Sequence, residues 1–192
     1  MHPGRIACAL LLAGGLSSAQ TPAAPKAVAD KAPSLSQVMV RQLALLEREL
    51  VPAAEALPED NYGFAPTQGE FKGVKTFAQQ VRHAASTNYL FAAGILGEKL
   101  PAELLGGENG PENLKTKAEI VSYLKASFAY THKAFAVITE ANATATIPTP
   151  WGQGTTSRLG LANFTVAHGF DHYGQMVVYL RMNGIIPPAS RK

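Results

Sequence analysis

"TVAHGFDHYGQMVVYL", residues 165–180, is the stretch on which the reading of this chain turns. It has the apolar content of a buried helix, yet His168, His172 and Gln175 interrupt it. At ~100° per residue, Leu161, Phe164, Tyr179 and Met182 fall on one side of such a helix, and the three polar residues fall on that same side. A buried polar group without a partner costs on the order of 1–3 kcal/mol. The stretch therefore demands partners, and two kinds fit: ordinary core hydrogen bonds, or a metal ion shared by the two imidazoles.

The surrounding residues extend the helix from about 158 to 183. Gly184 suits a left-handed C-terminal cap, and Pro187-Pro188 prevents continuation. Three more helices precede it. In "SLSQ", Ser34 is followed three residues later by Gln37, a capping-box pattern. Leu35, Met39, Leu43, Leu46 and Leu50 then mark one face of a first helix over about 35–57, with Pro52 a candidate kink. A second helix is expected over about 74–97, its apolar face formed by Phe77, Val81, Ala84, Phe91 and Ile95. Thr116 and Glu119 repeat the capping-box spacing, and Ile120, Leu124, Phe128, Phe135 and Ile138 line a third helix over about 117–142.

The connections carry turn-forming residues: 58–73, 97–113 and "TATIPTPWGQGTTS". No segment shows a convincing strand period. Four amphipathic helices of similar length imply an all-α fold, a four-helix bundle with a long connection between helices 2 and 3. That connection has room for a short helical turn and is long enough to cross the bundle.

The chain of 192 residues begins with a short basic segment, "MHPGR", an apolar run, "IACALLLAGGL", and small residues in "SSAQ". That is the layout of a signal peptide over 1–19 cleaved after Ala19, the alternative being an uncleaved anchor. Residues 20–33, rich in proline and alanine, read as a flexible linker, and 34–192 as the folded domain. The expected location is periplasmic or extracellular. The single cysteine, Cys8, precedes the apolar run rather than following it, so it is expected to leave with the leader. The mature domain then offers no thiolate, and any metal site must use nitrogen and oxygen ligands.

The formal net charge is +3, and loss of Arg5 with the leader makes it +2. No basic cluster is interleaved with aromatics, which argues against nucleic acid as a partner. No segment past residue 20 is apolar for the ~20 residues that spanning a bilayer needs, so no stable membrane insertion is expected after cleavage. Apolar bundles of this size often pair, which makes a homodimer a candidate assembly.

His168 and His172 lie four apart, on one helix face at neighbouring turns, where two nitrogens can meet one cation. The pair alone is a weak signal, since histidines also satisfy core hydrogen bonds. His83 lies ~120° from the middle of the second helix's apolar face, a position that suits a second bundle contact or open solvent equally well. His132, at the edge of the third helix's stripe, reads as an ordinary boundary histidine. Tyr62, Phe64 and Trp151 lie in loops, either lining a pocket mouth or plugging the bundle ends.

From about 35 to 191 the chain resembles the DinB/YfiT-like family of small metal-binding four-helix bundles. "LPEDNYGFAPT" is similar to that family's loop after helix 1, and "FAQQVRHAASTNYLF" to its helix 2. "HGFDHYGQMVVYLRMNGIIPPASR" resembles its last helix and tail, with the pattern YLRxNGxxPPxS. Carried over by position, the resemblance implies metal ligands at His83, His168 and His172. It implies a divalent metal ion as cofactor, with zinc or nickel expected first. It also implies a metal-dependent enzyme acting on an unidentified small-molecule substrate, including transferases that work with low-molecular-weight thiols. Gln175, one turn beyond His172, is the candidate to orient a ligand ring or a water, or else to cap backbone groups. Asp171 points ~60° aside and is no clear general base. A metal hydrolase and a non-catalytic metal-binding or structural bundle remain as alternatives.

Overall fold

A computed structural model of the chain describes residues 32–192, and its compact unit spans Pro33–Lys192. The expected signal peptide and most of the expected linker lie outside the described residues. Among those described, four long helices form the bundle that the periodicity implies: α1 (Leu35–Ala56), α2 (Phe77–Leu96), α4 (Lys117–Ala136) and α5 (Arg158–Met182). A single short turn, α3 (Ala102–Leu105), occupies the long connection. None of the described helices is long and apolar enough to cross a membrane.

Capping chemistry sets the starts. The Ser34 hydroxyl accepts from the Gln37 N–H while the Gln37 side chain accepts from the Ser34 N–H, at 3.3 and 2.9 Å. Thr116 and Glu119 repeat this reciprocal pair at α4. Helix α2 starts at Phe77 rather than near 74, because Thr76 and Gln79 form a third capping box and Thr76 itself is extended. Helix α4 stops at Ala136, six residues short of the expected 142. There Asn142 accepts from the Thr139 N–H and donates to the Val137 carbonyl, both at 2.9 Å, so its side chain closes a turn that competes with the helix. At the end of α5, Gly184 takes a φ of 72°, its N–H donates to Arg181 and the Ile185 N–H donates to Leu180. This is the Schellman pattern that a glycine in this place permits.

Packing then fixes the order around the bundle. Helix α2 packs on α4 and α5, and α1 also packs on α4 and α5, which makes α1 and α2 diagonal partners. The long connection between α2 and α4 thus joins neighbours instead of crossing the bundle. The diagonal steps are taken by residues 57–76 and 137–157. The latter segment departs from an all-helical reading: β1 (Thr146–Pro148) pairs antiparallel with β2 (Thr155–Ser157). Strands of three residues are too short to display a period in the sequence. Thr149 holds the hairpin by donating its hydroxyl to the Gln153 carbonyl at 2.5 Å.

Leu43, Leu46, Leu50, Phe77, Ile95, Leu124, Phe128, Phe135 and Leu161 are fully buried in the common core. Helices α1 and α5 approach closely at Gly169, where even a Cβ would meet Leu46 Cδ2 at 2.3 Å. The buried arc of α5 runs through Leu161, Ala162, Thr165, Gly169, His172, Met176 and Leu180. Phe164 and Met182 are not in it: they are 47% and 49% exposed. The small residues that build the real seam carry little hydrophobicity, so the large exposed ones draw the apparent stripe sideways. His168 and Gln175 consequently sit on the edge of the buried arc, while His172 lies within it.

Candidate metal centre

Three histidines meet at the seam of α2 and α5. His83 comes from α2, two turns after its capped start, and His168 and His172 come from successive turns of α5. Their Nε2 atoms face one another. His168 Nε2 lies 3.1 Å from His172 Nε2 and 3.3 Å from His83 Nε2. One ring nitrogen from each lies within 4.8 Å of the other two, close enough for all three to hold one ion.

The opposite nitrogen of each ring is engaged. His83 Nδ1 lies 2.5 Å from the carbonyl oxygen of Glu108. A carbonyl only accepts, so His83 carries its proton on Nδ1 and presents a bare lone pair at Nε2. His168 Nδ1 lies 3.4 Å from the Thr87 hydroxyl, which donates its own hydrogen to the carbonyls of His83 and Ala84. His172 Nδ1 lies 2.5 Å from Gln80 Oε1.

Burial holds these rings neutral. Desolvation first, and then neighbouring His83, depress His168 to about 4. Desolvation, followed by His168 and His83, depresses His172 to about 3. His83 is lowered as well, chiefly by desolvation and against the pull of the Glu108 carbonyl. Neutral imidazole with its far nitrogen fixed by an acceptor is the form in which histidine ligates a metal. Nitrogens gathered at hydrogen-bond distance with lone pairs inward repel one another unless a cation lies between them. The donor set thus fits a divalent metal, and imidazole alone accommodates zinc, nickel, copper or iron.

The sequence profile of the DinB superfamily matches residues 42–176, a span that includes all three histidines. The chain belongs to the DinB superfamily. A crystal structure of a DinB-like protein from Bacillus cereus ATCC 10987 shares the fold with a TM-score of 0.61 at 16% sequence identity, covering 78% of this chain and 93% of that one. Comparison with curated proteins gives no match.

In this DinB-superfamily chain the remaining candidates separate from the cluster. His132 on α4 pairs instead with Glu47 on α1, Nε2 to Oε2 at 2.8 Å. Tyr62 is buried edge-on against Phe77, its hydroxyl donating to the Ala54 carbonyl, and Phe64 stands edge-on to Tyr179. Both close the end of the bundle. Trp151 is 53% exposed and leans on Phe91 and Phe164, whose rings in turn flank His168. Among the described residues, the Gln175 side chain hydrogen-bonds neither backbone nor a histidine. Its Oε1 accepts from Gln80 Nε2 at 2.7 Å, and its Nε2 donates to the Asp171 carboxylate at 3.1 Å.

Two supports escaped the sequence reading. Gln80 sits one turn before His83 and is 1% exposed; a glutamine three residues from a candidate histidine on a capped helix was the available signal. The Glu108 carbonyl reaches His83 because the loop 106–111 folds onto α2. Gly110 has φ of 70°, and a Cβ there would meet the Arg82 carbonyl oxygen at 2.6 Å. Lys75 ties the same loop down, bonding Glu108 Oε1 at 3.0 Å and Asn109 Oδ1 at 2.9 Å. The cluster of glycines in "GGENG" was legible as a turn, but not as the part that presents a carbonyl to a ring.

Proposed function

We propose that this chain is an exported divalent-metal protein and a metal-dependent enzyme, a transferase or hydrolase, whose metal is held by His83, His168 and His172. The observation that carries this reading is the convergence of the three Nε2 atoms, with the far side of each ring engaged. Structural zinc sites usually close with four protein ligands, whereas three ligands and an open position are the catalytic arrangement. An ion held there supplies Lewis acidity, lowering the pKa of a water or thiol and polarising a carbonyl. The protein's residues supply placement: two turns of α5 and one of α2 fix the ligand triangle, and burial excludes competing protons. Zinc or nickel is the expected ion.

Export bears on the reaction. Low-molecular-weight thiols are kept reduced in the cytosol, and exported proteins meet oxidising surroundings. A periplasmic or extracellular location therefore favours hydrolysis over thiol transfer. The substrate is a small molecule of unidentified class.

A second reading, metal binding without catalysis, is supported by Asp171. It is the only acidic residue of α5, and its carboxylate is engaged by Gln175 rather than free beside the ligands. The two readings part at the open coordination position. Elemental analysis of protein purified without a polyhistidine tag should find about one equivalent of metal. In the cobalt-loaded protein, azide or a small thiol should shift the visible bands if a position is open. A metal-free protein sinks both readings, and bands indifferent to added ligands leave only the non-catalytic one.

A further inference from the structure

We propose that Asp171, Gln175 and Gln80 form a directional relay that sets the tautomer of His172, making them positioning residues of the centre. This rests on the reading of the three histidines as a metal site.

The direction follows from donor counting. An ionised carboxylate has no hydrogen to give. Asp171 Oδ2 lies 3.1 Å from Gln175, so Gln175 must turn its NH₂ toward it. The Gln175 carbonyl then faces Gln80 at 2.7 Å and can only accept, so Gln80 must present its own NH₂. The Gln80 carbonyl is left facing His172 Nδ1 at 2.5 Å, which must carry the ring proton. His172 Nε2 is thereby stripped of hydrogen on the side facing His168 and His83. Reversing the amides would set the Gln175 carbonyl against the Asp171 carboxylate, two acceptors at hydrogen-bond distance. It would also place a hydrogen on His172 Nε2, where a metal needs the lone pair.

The other two ligands have simpler supports. His83 leans on a backbone carbonyl and His168 on a hydroxyl whose hydrogen is already committed. An amide is different because it can serve either way round. Gln80 alone would leave His172 undetermined; the exposed Asp171 makes the choice from two links away.

The test uses the full folded protein with Zn²⁺ as the probe, and two readouts. Ring ¹⁵N correlation spectra of the metal-free protein should show His172 as the Nδ1–H tautomer. In Asp171→Ala, a mixture of tautomers should appear, with Zn²⁺ affinity in chelator competition falling about tenfold, within the ~10–100-fold range of lost outer partners. Because Asp171 is exposed, this variant should fold normally. Adding Gln80→Glu to Asp171→Ala should restore the tautomer and the affinity, since a carboxylate accepts in either orientation. An Asp171→Ala protein with an unchanged His172 tautomer overturns the relay, as does a double variant that rescues neither readout. If the wild-type protein binds no Zn²⁺, the metal reading falls, while the tautomer readout still decides the relay.

Discussion

The two sides of the bundle treat histidine in opposite ways. On the seam of α1 and α4, His132 meets Glu47 directly, nitrogen to carboxylate, at a partly exposed position. On the seam of α2 and α5, three histidines turn toward each other, and among the described residues no carboxylate bonds their Nε2 atoms. Their acceptors are all behind them, on Nδ1. The first arrangement is complete without help. The second gathers ring nitrogens close enough to hold one cation. Orientation, more than the presence of imidazole, separates the two arrangements.

The largest effect expected from breaking this contrast is loss of metal. His168 is the hub, with its Nε2 within 3.3 Å of the Nε2 atoms of both other histidines. His168→Ala should lower Zn²⁺ affinity by more than the ~10–100-fold that follows loss of an outer partner. His132→Ala should leave metal content unchanged. Equal losses in both variants, measured by elemental analysis after dialysis, would erase the distinction between the two seams.

Next in size is the loop that serves His83. Gly110→Ala requires a left-handed backbone and brings its Cβ to 2.6 Å from the Arg82 carbonyl. Overpacking and strain of this kind cost roughly 1–3 kcal/mol each. The loop should lift off α2 and carry the Glu108 carbonyl away from His83, so Zn²⁺ affinity should fall together with the unfolding midpoint in urea. Gly184→Ala, at the C-terminal cap of α5, strains its backbone similarly but lies beyond the metal seam. It should cost stability without costing metal affinity. A Gly110→Ala protein that keeps wild-type affinity would remove the loop from the centre.

Legibility in the sequence followed the same divide. Helices announced by capping boxes and by Leu43, Leu46 and Leu50 were plain, because apolar periodicity and caps are local signals. So was the spacing of His168 and His172. The order of helices around the bundle was not, since it depends on which faces interlock; Gly169 against Leu46 is invisible until α1 and α5 are brought together. His83 was undecided by periodicity because its position is explained by a loop 25 residues away, through Glu108. Gln175 looked like an intruder on an apolar face, and its partner Gln80 lies 95 residues earlier.

Acidification should sharpen the contrast further in the metal-free protein. An unfolded histidine titrates near 6.5, while burial holds His168 near 4 and His172 near 3. Between those values the unfolded chain binds more protons, so stability must fall as pH drops from about 6.5 toward 4 and level off below about 3. Thermal melts of chelator-treated protein from pH 7.5 to 4.5 should show this decline. A His172→Leu variant, lacking the most depressed group, should show a shallower one. Parallel curves for the two proteins would mean that His172 is not held neutral by burial.

The smallest effect belongs to the other seam. The His132–Glu47 pair spans 2.8 Å, but its side chains are 29% and 36% exposed. Pairs this open to solvent contribute only about 0–1 kcal/mol, because water competes for both groups and ordering two side chains offsets much of the gain. Glu47→Gln should therefore shift the unfolding midpoint only slightly. Zn²⁺ affinity should not move at all, since Glu47 and His132 join α1 to α4 while the three histidines join α2 to α5. A measurable change in affinity would show the two seams to be coupled through the core, and the division of labour between them would have to be withdrawn.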